Sequence, residues 1–268
     1  MSGVTRGVDV SEHNGAIDWK KVKGAGVGFA MIRAGYGLTA DKRFSGNADA
    51  CSRLGIPFGV YWFSYAMTPE RAAQEAAKCL ELIAPYSLDC PVAFDYEYDS
   101  VNYASERGLT VTKALASDIA RAFCRAVRAA GRPVLNYANP DFLNRYFDER
   151  LKTEFPLWLA QWPSGAPSLD KPPRPCEIWQ FSEKGSVPGI SGPVDLDVRY
   201  TTEVKTMTGE QIYNALIEYL NAQKLPEWAE AEFAEAVEMG ITDGKNPTRL
   251  ATRYEAAILA KRALEGRN

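Results

Sequence analysis

The sequence predicts an α/β barrel with fewer covering helices than strands, followed by a small all-α domain, and three observations carry that expectation. Eight short apolar runs alternate with longer amphipathic stretches up to about Tyr200. The helical stretches stop near Leu157. After Tyr200 only helical periodicity remains.

In chain order, the strands are expected at Val8–Val10, Gly28–Arg33, Phe58–Phe63, Val92–Glu97, Val134–Tyr137, Leu157–Gln161, Glu177–Phe181 and Val194–Val198. Helices are expected at Asp18–Gly24, Phe44–Leu54, Pro69–Ala84, Thr112–Ala130 and Pro140–Phe147. Pro69 and Pro140 suit a first helical turn, where the missing N–H costs nothing, and Gly131 suits a C-terminal stop. From Leu157 onward the connections are Pro163-Ser164-Gly165-Ala166-Pro167 and Pro172-Pro173, too broken for helices. The last strands should therefore lack a covering layer.

Composition bounds the function. With 46% hydrophobic and 24% charged residues in 268, the chain is an ordinary globular protein with room for one barrel and a smaller domain. No run approaches the roughly 20 apolar residues that cross a bilayer, so no membrane partner is expected. The tail from Met207 carries 7 Lys+Arg against 10 Asp+Glu, leaving 24 of each before it. Such a balance holds no basic stripe for nucleic acid. His13 is the only histidine, which excludes His-rich zinc sites, and no phosphate-cradling Gly-x-x-x-x-Gly-Lys-Ser/Thr occurs. No metal or cofactor is expected. Five scattered cysteines without a Cys-x-x-Cys pair read as reduced, mostly core thiols. The N-terminal segment lacks the apolar core of a secretory signal, so nothing in it routes the chain through standard secretion.

The run Pro91-Val92-Ala93-Phe94-Asp95-Tyr96-Glu97 carries the most chemistry. Read as a strand, it sends Val92, Phe94 and Tyr96 to one face, and Asp95 and Glu97 to the other, about 6–7 Å apart along the chain. Two such carboxyls push one pKa up and leave an acid beside a base, the pair that glycosidic cleavage needs. A salt-bridge cluster is the alternative. Strand ends converge on one mouth of a barrel, and here they supply Asp9, Asp95 and Glu97, with Tyr61, Tyr137, Trp162, Gln180 and Asp195 on other strands. Carboxylates ringed by aromatic faces suit a sugar.

Gly7-Val8-Asp9-Val10-Ser11, Ile32-Arg33-Ala34-Gly35-Tyr36-Gly37, Gly59-Val60-Tyr61-Trp62-Phe63, Phe94-Asp95-Tyr96-Glu97, Leu157-Trp158-Leu159-Ala160-Gln161-Trp162, Trp179-Gln180-Phe181-Ser182 and Val194-Asp195-Leu196-Asp197 resemble, in that order, the signatures of the family 25 glycoside hydrolases. Those are lysozymes of the N-acetylmuramidase type, and the resemblance spans about residues 5–200. It implies an irregular (β/α) barrel with fewer helices than strands, and cleavage of the β-1,4 bond between N-acetylmuramic acid and N-acetylglucosamine in bacterial peptidoglycan. By resemblance Glu97 is the general acid, and Asp95 either orients the substrate's 2-acetamido group or attacks directly. Asp9 and Asp195 are the remaining acidic positions, and Tyr36, Tyr61, Tyr137, Trp162 and Gln180 line the groove. The family usually carries Asn where this chain has Asp197. Chitinases, a rival barrel group, expect Asp at the position of Ala93.

Domain boundaries are expected at 1–202 for the barrel, 203–209 for a linker and 210–268 for a helical domain. Ile212, Leu216, Tyr219 and Leu220 recur at helical spacing, and Trp228–Met239 and Arg253–Leu264 follow, with Gly240 as a stop and Thr252 as a cap. The stretch from Trp228 resembles a single S-layer-homology-like repeat, which implies cell-wall polysaccharide binding, with homo-oligomer formation as the alternative. A catalytic barrel with such a tail and no signal resembles a bacteriophage endolysin, which implies a protein made in the host cytoplasm and then released to act on the cell wall. A non-catalytic peptidoglycan-binding protein, or a hydrolase of another amino-sugar polymer, are the competing expectations.

Overall fold

The structure, a computed structural model, describes residues 3–201, 209–242 and 253–265, with Lys245 and Thr248. It divides into two compact units, Met1–Glu203 and Val204–Asn268.

The strands of the first unit are β1 (Gly3–Val10), β2 (Phe29–Tyr36), β3 (Thr39–Ala40), β4 (Phe58–Phe63), β5 (Val92–Asp95), β6 (Val134–Ala138), β7 (Leu157–Ala160), β8 (Ile178–Gly185) and β9 (Val194–Thr201). Eight of them close a barrel in the order β1-β2-β4-β5-β6-β7-β8-β9, with β1 pairing β9 to seal it and β3 appended to β2. Neighbours from β1 through β8 are parallel, whereas β9 is antiparallel to both β8 and β1. The mouth therefore gathers the C-terminal ends of seven strands and the N-terminal end of one. Asp195, the second residue of β9, lies opposite Asp9 for that reason.

Helices α1 (Trp19–Gly24), α2 (Phe44–Leu54), α3 (Pro69–Ile83), α4 (Tyr98–Ser105), α5 (Lys113–Ala129), α6 (Pro140–Tyr146) and α7 (Glu149–Glu154) all precede β7, leaving the last three strands without a helical cover among the described residues. Local chemistry starts them where it should. Thr68, Thr112 and Asn139 accept from the backbone N–H of Arg71, Leu115 and Phe142 at 3.3, 3.2 and 2.8 Å. Two helices were not legible. Asp148 caps α7 by accepting from Leu151 N at 2.8 Å, and α4 begins directly after Glu97.

Alternation along each strand makes two cores. Val60, Val92, Phe94 and Val134 face the helices, packing with Ile119, Phe123 and Cys124 of α5. Phe29, Met31, Ala93, Leu135, Trp158 and Ile178 fill the barrel interior. Gly7 is required there, because a Cβ on it would come within 2.3 Å of the Phe29 ring. Four of the five thiols, Cys51, Cys79, Cys90 and Cys124, are buried and free.

The second unit contains α8 (Gly209–Asn221), α9 (Glu227–Glu238) and α10 (Arg253–Glu265). Gly240, at φ +68°, ends α9 by donating its N–H to the Val237 carbonyl at 3.0 Å, a left-handed stop that suits glycine. Ile212, Tyr219 and Trp228 are exposed, Trp228 by 79%. The expected cap Thr252 and most of the expected linker lie outside the described residues.

Candidate active site

A hollow of about 320 Å³ occupies the barrel mouth, and Asp9, Tyr61, Asp95, Glu97, Tyr137, Gln180 and Asp195 all line it. Two groups of carboxyls face it from opposite sides. β5 stands four places from β9 in the eight-strand ring, so Asp95 and Glu97 lie across the mouth from Asp9 and Asp195.

The first group corrects the strand expectation. β5 stops at Asp95, and Glu97 is not a strand residue but the N-cap of α4, its N–H donating to Ser100 Oγ at 3.1 Å. That turn folds the Glu97 side chain back until the two carboxyls hydrogen-bond each other. Tyr96, between them, points into the helical layer, stacked on Phe94 with ring centroids 6.0 Å apart. The Asp95 carbonyl accepts from Ser64 N at 2.8 Å, which pins the strand end. Burial, then the charge of Glu97, raises the Asp95 carboxyl well above its ordinary range, although Arg33 pulls the other way. Burial likewise pushes Glu97 up to about 7, partly offset by the hydrogen bond from Asp95. The pair therefore shares a proton near neutral pH.

In the second group, Gln180 is the organiser. Its Oε1 accepts from Tyr137 Oη at 3.1 Å and Trp162 Nε1 at 3.2 Å, and its Nε2 donates to Asp9 Oδ2 at 2.8 Å. Beneath lies Asp197, fully buried, with Oδ1 accepting from Trp158 Nε1 at 2.8 Å. Burial raises the Asp9 carboxyl strongly, with Asp197 and Asp195 adding repulsion, and burial pushes Asp197 up to about 7. Asp195 is raised by burial more modestly. Tyr137 is buried and Tyr61 half-buried beside these acids, so their phenols are raised well above the usual value and stay protonated donors.

Two sequence-predicted residues lie outside this hollow. The alternation of β2 slips between Arg33 and Gly35, which sets Tyr36 opposite Phe63 at the rim and turns it into a neighbouring hollow. Trp162 lies beyond the end of β7, 50% exposed, and lines a third hollow with Phe181 and Leu196.

The family model of the glycosyl hydrolases family 25 matches residues 8–190. The chain belongs to that family. It is 32% identical over 200 residues to lysozyme M1 of Streptomyces globisporus, covering 72% of this chain and 67% of that one. It is 29% identical over 193 residues to the autolytic lysozyme of Clostridium acetobutylicum, covering 72% of this chain and 55% of that one, so it spans little more than half of that relative. Among solved structures, the modular autolysin LytC of Streptococcus pneumoniae in complex with a synthetic peptidoglycan ligand superposes with a TM-score of 0.62 at 28% identity, over 74% of this chain and 47% of that one.

Within this family 25 barrel, sequence reasoning passed over Arg33, Trp158 and His13 as site residues, all of which line the central hollow. Arg33 carried a readable signal, since Phe29, Met31 and Arg33 share one strand face and a charge on an interior face is rarely idle. Its guanidinium is held by Asp41 at 2.8 Å through Nε and by Glu12 at 3.3 Å through Nη2.

Proposed function

We propose that the chain is a muramidase, hydrolysing the β-1,4 bond between N-acetylmuramic acid and N-acetylglucosamine in peptidoglycan. The observation that carries this reading is the hydrogen-bonded pair Asp95 and Glu97 at the mouth of a family 25 barrel. The lysozyme names of its relatives and the peptidoglycan ligand of LytC support it.

Glu97 is the general acid. Its raised pKa keeps a proton available near pH 7 for the leaving oxygen. Asp95 is the positioning carboxylate. Carboxyls that touch each other approach the sugar from one side, whereas a retaining nucleophile must sit across the ring from the acid. The nucleophile is therefore the substrate's own acetamido oxygen, which bonds to the anomeric carbon as the glycosidic C–O bond breaks and Glu97 gives its proton to the departing oxygen. Asp95, ionised once Glu97 holds the shared proton, steadies the acetamido N–H and the positive charge that grows on it. Water then attacks the anomeric carbon, reopens the ring and returns its proton to Glu97. Asp9 and Asp195, with Gln180, Tyr61 and Tyr137, hold the sugar.

For the tail we read a wall-attaching or self-associating module on a bacteriophage endolysin, made in the host cytoplasm and acting on the cell wall. The exposed Trp228 is the residue to test. Sedimentation of the Glu97→Gln chain with purified walls should weaken several-fold with Trp228→Ala added, and unchanged sedimentation would remove the wall-binding reading.

The activity is tested by mass spectrometry of borohydride-reduced fragments from digested peptidoglycan. Reduced muramic acid ends that disappear with Glu97→Gln are expected. Reduced glucosamine ends would make the enzyme a glucosaminidase, and no fragments at all would overturn the hydrolase reading.

A further inference from the structure

The helical layer around the barrel is incomplete, and a small crevice lies where it stops. Along β6, Val134 and Ala138 face the helices while Leu135 and Tyr137 fill the interior, so alternation turns Asn136 outward as well. Leu143 of α6 and Phe155, just beyond α7, cover that face from one side. No helix follows β7 among the described residues, so from the other side only the connection between β7 and β8 reaches over, through Arg174. A crevice of about 170 Å³ is left between them, lined also by Lys152 and Leu157. It shares no residue with the central hollow, and Leu157 opens β7, at the end of the barrel away from the mouth.

The crevice has the chemistry of a binding site. Asn136 is 3% exposed, and its Oδ1 accepts from no donor of the protein. A buried amide oxygen left unpaired is costly, so an incoming donor is favoured there. Lys152 Nζ is engaged by Glu149 Oε1 at 2.7 Å. Arg174, by contrast, is half-buried and makes no ion pair among the described residues. No acidic side chain lines the crevice. Leu143 and Phe155 are buried and Leu157 half-buried, which makes the remaining wall apolar. One uncommitted cation, one uncommitted acceptor and an apolar wall therefore meet in one place. An inorganic anion would set a second acceptor against the Asn136 oxygen, and a fatty acid would bring no donor to it. The last residue of a peptide brings a carboxylate, an amide N–H and a side chain together. The volume suits one such residue, since a cavity of about 150 Å³ admits a benzene-sized ligand.

We propose that this crevice binds the C-terminal residue of a short peptide ending in a small apolar side chain. The carboxylate accepts from Arg174, the terminal amide N–H donates to Asn136 Oδ1, and the side chain rests on Leu143, Phe155 and Leu157. Lys152 adds only longer-range attraction, because Glu149 holds it. Binding here is independent of the carboxyls at the mouth and of the muramidase reading.

The probes are N-acetyl-alanyl-alanine in its all-L and all-D forms, titrated into the isotope-labelled full chain and followed by amide NMR shifts. At least one form should shift the residues flanking Asn136 and Arg174 in a saturable way. Two analogues of that form should each bind about ten-fold more weakly: the C-terminal amide, which lacks the charge, and the ester ending in lactate, which lacks the N–H. Arg174→Gln lies in a connection outside the core, and it should weaken binding of the acid about ten-fold while leaving the amide unchanged. Glu97→Gln should bind as the wild type does. Preference for the D form assigns the ligand to peptidoglycan stems and preference for the L form to ordinary polypeptide ends, and either supports the site. Equal affinity for acid and amide, or equal affinity of Arg174→Gln and wild type for the acid, would overturn the proposal. So would the absence of any saturable shift.

Discussion

The two carboxyl groups facing each other across the mouth are both built from acidic side chains and differ in what surrounds them. On β5, Asp95 and Glu97 touch because a helix starts at Glu97, and one of the pair reaches the half-exposed surface of the hollow. On β1 and β9, Asp9 accepts from Gln180 and Asp197 from Trp158, and Asp197 has no exposed surface. The first group can pass a proton to a ligand. In the second, Asp9 and Asp197 are occupied with the protein's own donors, while Asp195 faces the hollow half-buried. Burial raises the pKa in both, so what distinguishes Glu97 from Asp9 and Asp197 here is access and hydrogen-bond commitment.

The sharpest way to break this comparison is to remove one proton carrier from each side. Glu97→Gln should lower kcat/KM on peptidoglycan by about a thousand-fold, within the range for loss of a general acid. Equal damage from Asp197→Asn would erase the distinction.

Raising the pH is the next largest perturbation. In the proposed mechanism Glu97 must carry its proton to act, and burial pushes its carboxyl up to about 7. Turnover rates should therefore fall about ten-fold per pH unit above that point, because kcat/KM follows the protonated fraction. A flat profile to pH 9 would assign the acid elsewhere.

Asp197→Asn sharpens the other side. Asparagine keeps an oxygen for Trp158 Nε1 and removes a charge that repels Asp9. Activity should change by less than about ten-fold, consistent with a group that donates nothing to substrate. Kinetics on solubilised glycan decide it.

Glu75 offers the smallest effect on turnover and a clear one on stability. On α3 it is fully buried, neither oxygen has a well-formed hydrogen bond, and burial pushes it up to about 7 from 4.5. A carboxyl raised on folding is harmless below its unfolded pKa and costs stability as pH climbs through the folded one. Glu75→Gln should be neutral near pH 4 and stabilising by on the order of 2–3 kcal/mol at pH 8. Denaturant melts at the two pH values check it.

Much of the barrel was readable because strand and helix periods differ. The helix Phe44–Leu54 matches its expected bounds, and all eight barrel strands appear where apolar runs stood. The site was legible where alternation holds, as at Asp9, Tyr61, Asp95 and Tyr137. It failed where alternation breaks or says nothing. Tyr98-Asp99-Ser100-Val101-Asn102-Tyr103 is poor in strong helix formers, so α4, which folds Glu97 onto Asp95, gave no signal. A bulge moved Tyr36, and period 2 reads the same in both directions, so nothing in Val194–Val198 revealed that β9 is reversed.

The most direct test of the division between the two groups is the anomeric configuration of the first product, followed by proton NMR during digestion of a defined glycan. The acetamido route on the Asp95 and Glu97 side predicts retention, with the β-anomer appearing first and mutarotating later. The α-anomer appearing first would mean that water enters from the opposite face, activated across the mouth by Asp9 or Asp195, and would contradict the assignment of the chemistry to β5 alone.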